Sequence, residues 1–327
     1  MLVRRFACSL AAAAALISAS PVSAQNWPER PVSMVVPFAA GSASDTVGRL
    51  LTARLTEILG QSVMVENIGG AGGTIGVGRT AKATPDGYQF VLGGIDTFAM
   101  SKALYKKLPY DPVADFIPVA LVAEQPIILL ARKDLPAKDF REFIAYMKAN
   151  PGKLQYGSAG IGSGSHLGCA QLLAAAGVEA LHVPYRGSAP AMQDVIAARI
   201  DFICALGAAA IPQIQGDSVR ALAMLTKERS PLLPDLATAS EQGVKDFDAP
   251  FWSAFFVPKG TPDAVVQKLN AAAITMMNTP DMADKLKKVG TSFVVADRRS
   301  PEYLKAFLDS EIGKWAALIK ASGVTLD

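Results

Sequence analysis

Twice along this chain a short apolar run stops at a small glycine- and serine-bearing loop and passes straight into a helical pattern. That repeat limits the possible folds more than any other feature. Val35 and Val36 end the first run, Pro37 breaks it, residues 39–44 are small or polar, and Val47, Leu50, Leu51, Leu55 and Ile58 then recur at helical spacing. In the second, residues 154–157 read as a strand, 158–165 (SAGIGSGS) as a loop and 166–176 as a helix. The alternation continues with strand 180–185, loop 186–188, helix 189–198, strand 200–204, helix 208–215 and strand 219–225. Such alternation predicts an α/β protein built on parallel sheets buried on both faces. Open sheets of this kind bind ligands beyond the carboxyl ends of their strands, where these loops fall.

Ser42, Ser44 or Asp45 can cap the first helix. The free N–H groups and positive dipole end of a helix start favour a carboxylate or phosphate. A second glycine-rich loop, NIGGAGGTIG at 67–76, follows a strand at 63–66, and a third at 93–97 follows a strand at 88–92. Gly76-Val77-Gly78-Arg79-Thr80-Ala81 has the spacing of a dinucleotide fingerprint, but no strand immediately precedes it and it reads as helix. The lysine and hydroxyl of a phosphate-binding P-loop are missing there too.

Residues 1–24 carry Arg4 and Arg5, an apolar core at 6–19, then Pro21 and the small pair Ser23 and Ala24, the pattern of a cleavable secretory signal. Without the two signal arginines, thirty basic residues face 29 acidic ones, so the mature chain is close to neutral and shows no basic stripe for nucleic acid. No later apolar stretch approaches a bilayer span without a charge or proline. Some 300 mature residues favour two domains. Of the three cysteines, Cys8 leaves with the signal; the apolar surroundings of Cys169 and Cys204 favour buried free thiols, with a disulfide as the alternative.

Residues 116–132 hold two apolar runs separated by Glu124-Gln125-Pro126, which reads as a crossover between domains, and 251–257 (FWSAFFV) is a buried strand and a candidate second crossover. The expected division is 25–125 with 250–327 as one lobe and 126–249 as the other. Helices near 262–277, 280–288 and 301–321, each with proline at its start, are expected as cover.

No Gly-x-Ser-x-Gly elbow, His-Glu-x-x-His helix or paired-cysteine motif is present, so no catalytic constellation, metal or cofactor is expected. His166 and His182 read as hydrogen-bonding residues bordering the second series of loops. Asp45, Asp96 and Asp201 form a carboxylate cluster only if a cleft assembles them; capping and loop closure explain them equally. Arg186 invites an ion pair with an acidic ligand, against a surface pair. Phe38 and Trp252 are either cleft walls or core.

The blocks WPERPVSMVVPFAAGSASDTVGRLL, LGQSVMVENIGGAGGTIG, TPDGYQFVLG, YGSAGIGSGSHL, HVPYRGSAPAMQDVIAARID and SPLLPDLATASEQG, in this order behind a signal peptide, closely resemble the Bug proteins, the substrate-binding receptors of tripartite tricarboxylate transporters. The resemblance spans essentially the whole mature chain. It implies a type II periplasmic binding protein fold, with two α/β lobes, two crossovers and a ligand cleft between them. It further implies a monomeric, non-enzymatic periplasmic receptor that passes a small carboxylate or related metabolite to a membrane permease. A binding protein that senses without its own permease, or a cleft enzyme acting on a carboxylate, are the alternatives. Carried over from the family, the binding loops fall on Phe38, Ala39, Ala40, Gly41, Ser42, Ser44 and Asp45; on Ala71, Gly72, Gly73 and Thr74; on Ser158, Ala159, Gly160, Gly162, Ser163, Ser165 and His166; and on Tyr185, Arg186 and Gly187. Asp96 joins them as a cleft candidate from the third loop, and Asp201 lies where the family shows variable cleft residues. The resemblance implies that backbone groups do most of the holding. The first loop departs from the family in being poorer in glycine, with Ala40, Ala43 and Ser44 altering its volume.

Overall fold

The computed structural model describes residues 26–322, so the expected signal peptide at 1–24 lies outside the described residues. The first half of the chain runs β1 (Val32–Val36), α1 (Ala43–Leu59), β2 (Val63–Asn67), α2 (Thr74–Ala81), β3 (Gln89–Gly94), a π-helical turn (Asp96–Met100) with the short α3 (Ser101–Leu104), then β4 (Phe116–Gln125). After Pro126 come β5 (Ile127–Ala131), α4 (Phe140–Ala149), β6 (Gln155–Ser158), α5 (Gly164–Ala176), β7 (Leu181–Pro184), α6 (Ser188–Ile196), β8 (Phe202–Leu206), α7 (Gly207–Gln215) and β9 (Arg220–Met224). The chain then returns through β10 (Phe251–Pro258), α8 (Asp263–Met277), α9 (Pro280–Lys288), β11 (Ser292–Phe293) and α10 (Pro301–Ser322).

The strands form two sheets, ordered β11-β4-β10-β3-β1-β2 and β7-β6-β8-β5-β9. The chain passes from the first sheet to the second at Pro126 and comes back between β9 and β10. Both sheets are mixed, which corrects the all-parallel expectation. Where helices intervene, β1 pairs with β2 and β3, and β6 with β7 and β8, in parallel. The strands at the crossings run against their neighbours: β10 is antiparallel to β3 and β4, and β5 to β8 and β9. A strand that enters a sheet from the other one has no βαβ crossover to force a parallel direction.

All eight residues of β10 are buried. Phe90 meets Phe255 edge-on at 5.1 Å, and Phe98 stacks on Phe256 at 3.7 Å. Trp252 belongs to this layer: its indole N–H donates to Glu311 Oε2 at 3.1 Å and its ring meets Phe307 edge-on, so it is core and not a cleft wall. In the second sheet Phe143 packs edge-on to Phe202. Cys169 and Cys204 are joined by a disulfide with Cα atoms 5.4 Å apart, tying α5 to β8. The apolar surroundings that favoured free thiols are real, since both cysteines are fully buried; the separation of their backbones decides the matter, and sequence carries no such distance.

The helices that point at the seam between the sheets are built alike. Ser42 caps α1 by accepting from Asp45 N–H, and Ser163 caps α5 by accepting from His166 N–H. Each helix ends on a left-handed glycine, Gly60 and Gly177, the conformation glycine adopts most readily.

Candidate functional site

The carboxyl ends of β1, β2 and β3 face those of β6, β7 and β8 across the seam. In the first loop Gly41 N–H donates to Asp45 Oδ2 at 2.9 Å, Asn67 Nδ2 donates to Asp45 Oδ1 at 2.9 Å and to the Phe38 carbonyl at 3.1 Å, and Arg49 Nε donates to Asp45 Oδ2 at 3.0 Å. Burial would raise the Asp45 carboxyl; the bonds from Arg49, Gly41 and Asn67 outweigh it and hold the group below the usual range. Asp45 is thus committed to shaping its own loop, with Ala39, Ala40 and Gly41 as the turn it pins. Ala39 packs on Gly187, where an added Cβ would lie 2.9 Å from the Ala39 Cβ.

The second loop runs through positive φ at Gly70, Ala71, Gly72 and Gly73, and Thr74 Oγ1 closes it by donating to the Ala71 carbonyl at 2.9 Å. A Cβ on Gly72 would stand 2.2 Å from the Ile161 carbonyl oxygen, and one on Gly160 3.1 Å from Gly72 N. Two backbones from opposite sheets therefore touch here, and only glycine permits the contact.

The loop at 158–165 is held by a set of short hydroxyls. Ala159 N–H donates to Ser165 Oγ at 2.9 Å, Gly160 N–H to Ser158 Oγ at 3.1 Å, and Ser163 Oγ to the Gly160 carbonyl at 2.6 Å. Gly162 N–H donates to His166 Nδ1 at 3.1 Å, which leaves the His166 proton on Nε2. Behind the loop, His166 stacks on His182 at 4.0 Å, and His182 Nε2 lies 2.6 Å from Ser158 Oγ. Burial pulls His166 down to about 4 and His182 to about 3, the second also opposed by His166. Both are neutral structural supports at ordinary pH.

Beside the loop at 186–188, Tyr185 donates its hydroxyl to Asp194 Oδ2 at 2.7 Å, and Arg186 is exposed. Arg186, Tyr185 and Gly160 line an open outer groove with Ala71, Tyr105 and Ile161.

A separate narrow cavity of ≈ 20 Å³ is bounded from the first sheet by Phe38, Ser42, Ala43, Ser44 and Asp96, and from the second by Ala159, Ser163, Gly164, Ser165, Ser188 and Leu206. Two bonds cross it: Ala43 N–H donates to Ser188 Oγ at 3.3 Å and Gly164 N–H to Asp96 Oδ2 at 3.1 Å. Ser44 N–H and Ser165 N–H, each the second in its helix, have no acceptor among the described residues. The wall contains no lysine or arginine. Its one carboxylate is Asp96, whose burial pushes it up to about 6 against N–H bonds from Gly164 and Thr97 that pull it down.

The structure thus gathers Phe38, Ser42, Ser44, Asp96, Ala159, Ser163 and Ser165 around one space and sets Asp45, Ser158, Gly162 and His166 behind its walls. Asp201 is a correction. It precedes β8 at the amino end of the strand, opposite the cavity, where it accepts from Arg132 Nε at 3.0 Å and Gln155 N–H at 2.7 Å. Ala43 and Gly164, within the first loop and the loop around 158–166, line the cavity as well, together with Ser188 at the start of α6 and Leu206 at the end of β8.

A family model for the tripartite tricarboxylate transporter family receptor matches residues 47–324. The chain belongs to that receptor family. Among solved structures, the periplasmic binding protein BugD is 40% identical with a TM-score of 0.88, covering 91% of this chain and 99% of BugD. MatC from Rhodopseudomonas palustris, with bound malate, is 38% identical with a TM-score of 0.86 over 90% of this chain and 100% of its own. The R. palustris protein Rpa4515, with adipate, is 33% identical with a TM-score of 0.87 over 91% and 99%. The fold is the type II periplasmic binding protein fold expected from the sequence, and the chain is a solute-binding receptor of this family, not an enzyme. Members of the family are periplasmic binding proteins, and among the described residues no helix is long and apolar enough to cross a membrane.

Proposed function

We propose that this receptor captures a small carboxylate between its two sheets and delivers it to a membrane permease. The carrying observation is that Ser44 and Ser165, whose N–H groups have no acceptor among the described residues, line one cation-free cavity at the starts of two opposed helices. Helix starts stabilise an anion without a countercharge side chain. The hydroxyls of Ser42 and Ser188, which accept from Asp45 N–H and Ala43 N–H and keep their own protons, add donors that rotate to suit the ligand. Malate in MatC and adipate in Rpa4515 give the chemical class its precedent.

A space of ≈ 20 Å³ holds about one water. A four- to six-carbon acid therefore needs the site to open, and we take 25–125 with 250–327, and 126–249, as the two lobes that part. Export through cleavage after Ala24, and action as a monomer, complete the reading. Titration calorimetry against a panel of mono- and dicarboxylates and their amides tests it: acids should bind and their amides should not. Equal affinity for an acid and its amide would sink the anion cradle. Transport in vesicles holding the permease tests delivery separately, with loss of uptake on omitting the receptor as the expected result.

A further inference from the structure

Asp96 is the one feature of the cavity that a simple carboxylate does not explain. It opens the π-helical turn after β3, is only 3% exposed, and lines the same space as the free N–H groups of Ser44 and Ser165. Oδ1 accepts from Thr97 N–H at 2.8 Å and Oδ2 from Gly164 N–H at 3.1 Å. A carboxylate has about four acceptor sites, so capacity remains on the cavity side. Among the described residues no lysine, arginine or histidine pairs with it; the titratable neighbours it acts on are the hydroxyls of Tyr105 and Tyr110, which stay protonated. Thr97 Oγ1 accepts from Gly94 N–H at 3.0 Å, and the Thr97 side chain also helps to hold the charge of the carboxylate.

The site therefore has an anion-binding part and, beside it, a buried anion of its own. A ligand with a second carboxylate at that end would set like charges together in a space that excludes water, where their repulsion is screened least. A ligand with an ammonium there would supply the missing partner. We propose that the ligand bears a cationic nitrogen as well as its carboxylate, as an amino acid does, and that Asp96 is the residue that selects it. This rests on the reading of the cavity as a carboxylate receptor. It separates this chain from MatC and Rpa4515, whose ligands malate and adipate carry no amine.

The test is calorimetry at pH 7.5 on matched pairs that differ only in the amine: propanoate and β-alanine, butyrate and 4-aminobutanoate, succinate and aspartate. In the wild-type protein the amino member of at least one pair should bind about tenfold tighter or more, a difference of about 1.4 kcal/mol. Asp96→Asn should erase that preference. The wild-type comparison needs no variant, so a folding defect in Asp96→Asn does not decide the matter. The proposal is overturned if the amine-free acid binds as tightly or tighter in every pair, or if a folded Asp96→Asn keeps the preference. It is also overturned if the affinity for amine-free acids climbs as the pH is lowered to 5.5, the behaviour of a protonated Asp96 donating to an acid. Tight binding of an amine-free acid with no amino member preferred in any pair sinks this inference alone; no binding by any member of any pair sinks the carboxylate-receptor reading along with it.

Discussion

The Tyr105 hydroxyl lies between two carbonyls, 3.0 Å from Ala71 in its own half of the protein and 2.7 Å from Ile161 in the other. Its single proton goes to the shorter contact, so Tyr105 clasps the closed arrangement. Tyr105→Phe should leave the melting temperature of the free protein nearly unchanged and weaken ligand binding by ~0.5–1.5 kcal/mol, the net worth of one hydrogen bond. Stopped-flow measurement should place the change in the dissociation rate, because the clasp forms after the ligand enters.

Gly72→Val and Gly160→Val should each abolish binding while circular dichroism shows the fold intact. Both positions have positive φ, 61° and 120°, and a branched side chain at either would push the sheets apart at the point of backbone contact. Wild-type affinity in a folded variant would remove this contact from the closure.

Arg186→Gln should cost less than about 1.5 kcal/mol of binding free energy. The side chain is exposed on the outer groove, and the cavity wall has no arginine. Complete loss of binding would restore an arginine clamp.

Acid should destabilise the fold. Burial lowers His166 to about 4 and His182 to about 3, the latter also through His166, from an ordinary value of 6.5. With folded values depressed, the unfolded chain takes up these protons first; the contribution is full above about 6.5 and is lost as pH falls towards 4 and 3. Asp96 runs the other way, since a carboxyl raised to about 6 favours the folded chain once protonated, but two groups oppose one. The melting temperature should fall between pH 6.5 and 4, and His182→Gln should flatten that slope. An unchanged slope in the variant would remove the stacked pair as its origin.

Reducing the Cys169–Cys204 bond, or replacing both residues by alanine, should lower unfolding stability by ~3–4 kcal/mol, the chain-entropy value for a loop of this size. The bond closes a separation of 35 residues. Denaturant titration with and without reductant measures it, and coincident curves would show that the loop is held by packing alone.

The loops were legible in the sequence because capping and turning are local: Ser42, Ser163, Gly60 and Gly177 do what their residue types do wherever a helix begins or ends. Asp201 could have been excluded on the same ground, since a residue before an apolar strand sits at its amino end and these cavities open at the carboxyl end. The mixed sheets were hidden because strand direction at β5 and β10 depends on which sheet the chain has come from. The partner of Tyr105 and the cysteine separation are distances between segments far apart in the chain. Nothing in the local pattern of residues encodes them.

Gln125 and Phe251 are partners at one end of the β4–β10 ladder, so the two passages between the sheets leave the first sheet side by side. Two straps about one strand spacing, ~4.8 Å, apart allow folding along the line that joins them and resist torsion about either one. The proposed opening then has a single degree of freedom, as a book has at its spine. One distance between a label on α1 and another on α5 would follow the whole motion, and each ligand would be described by where it stops that one coordinate.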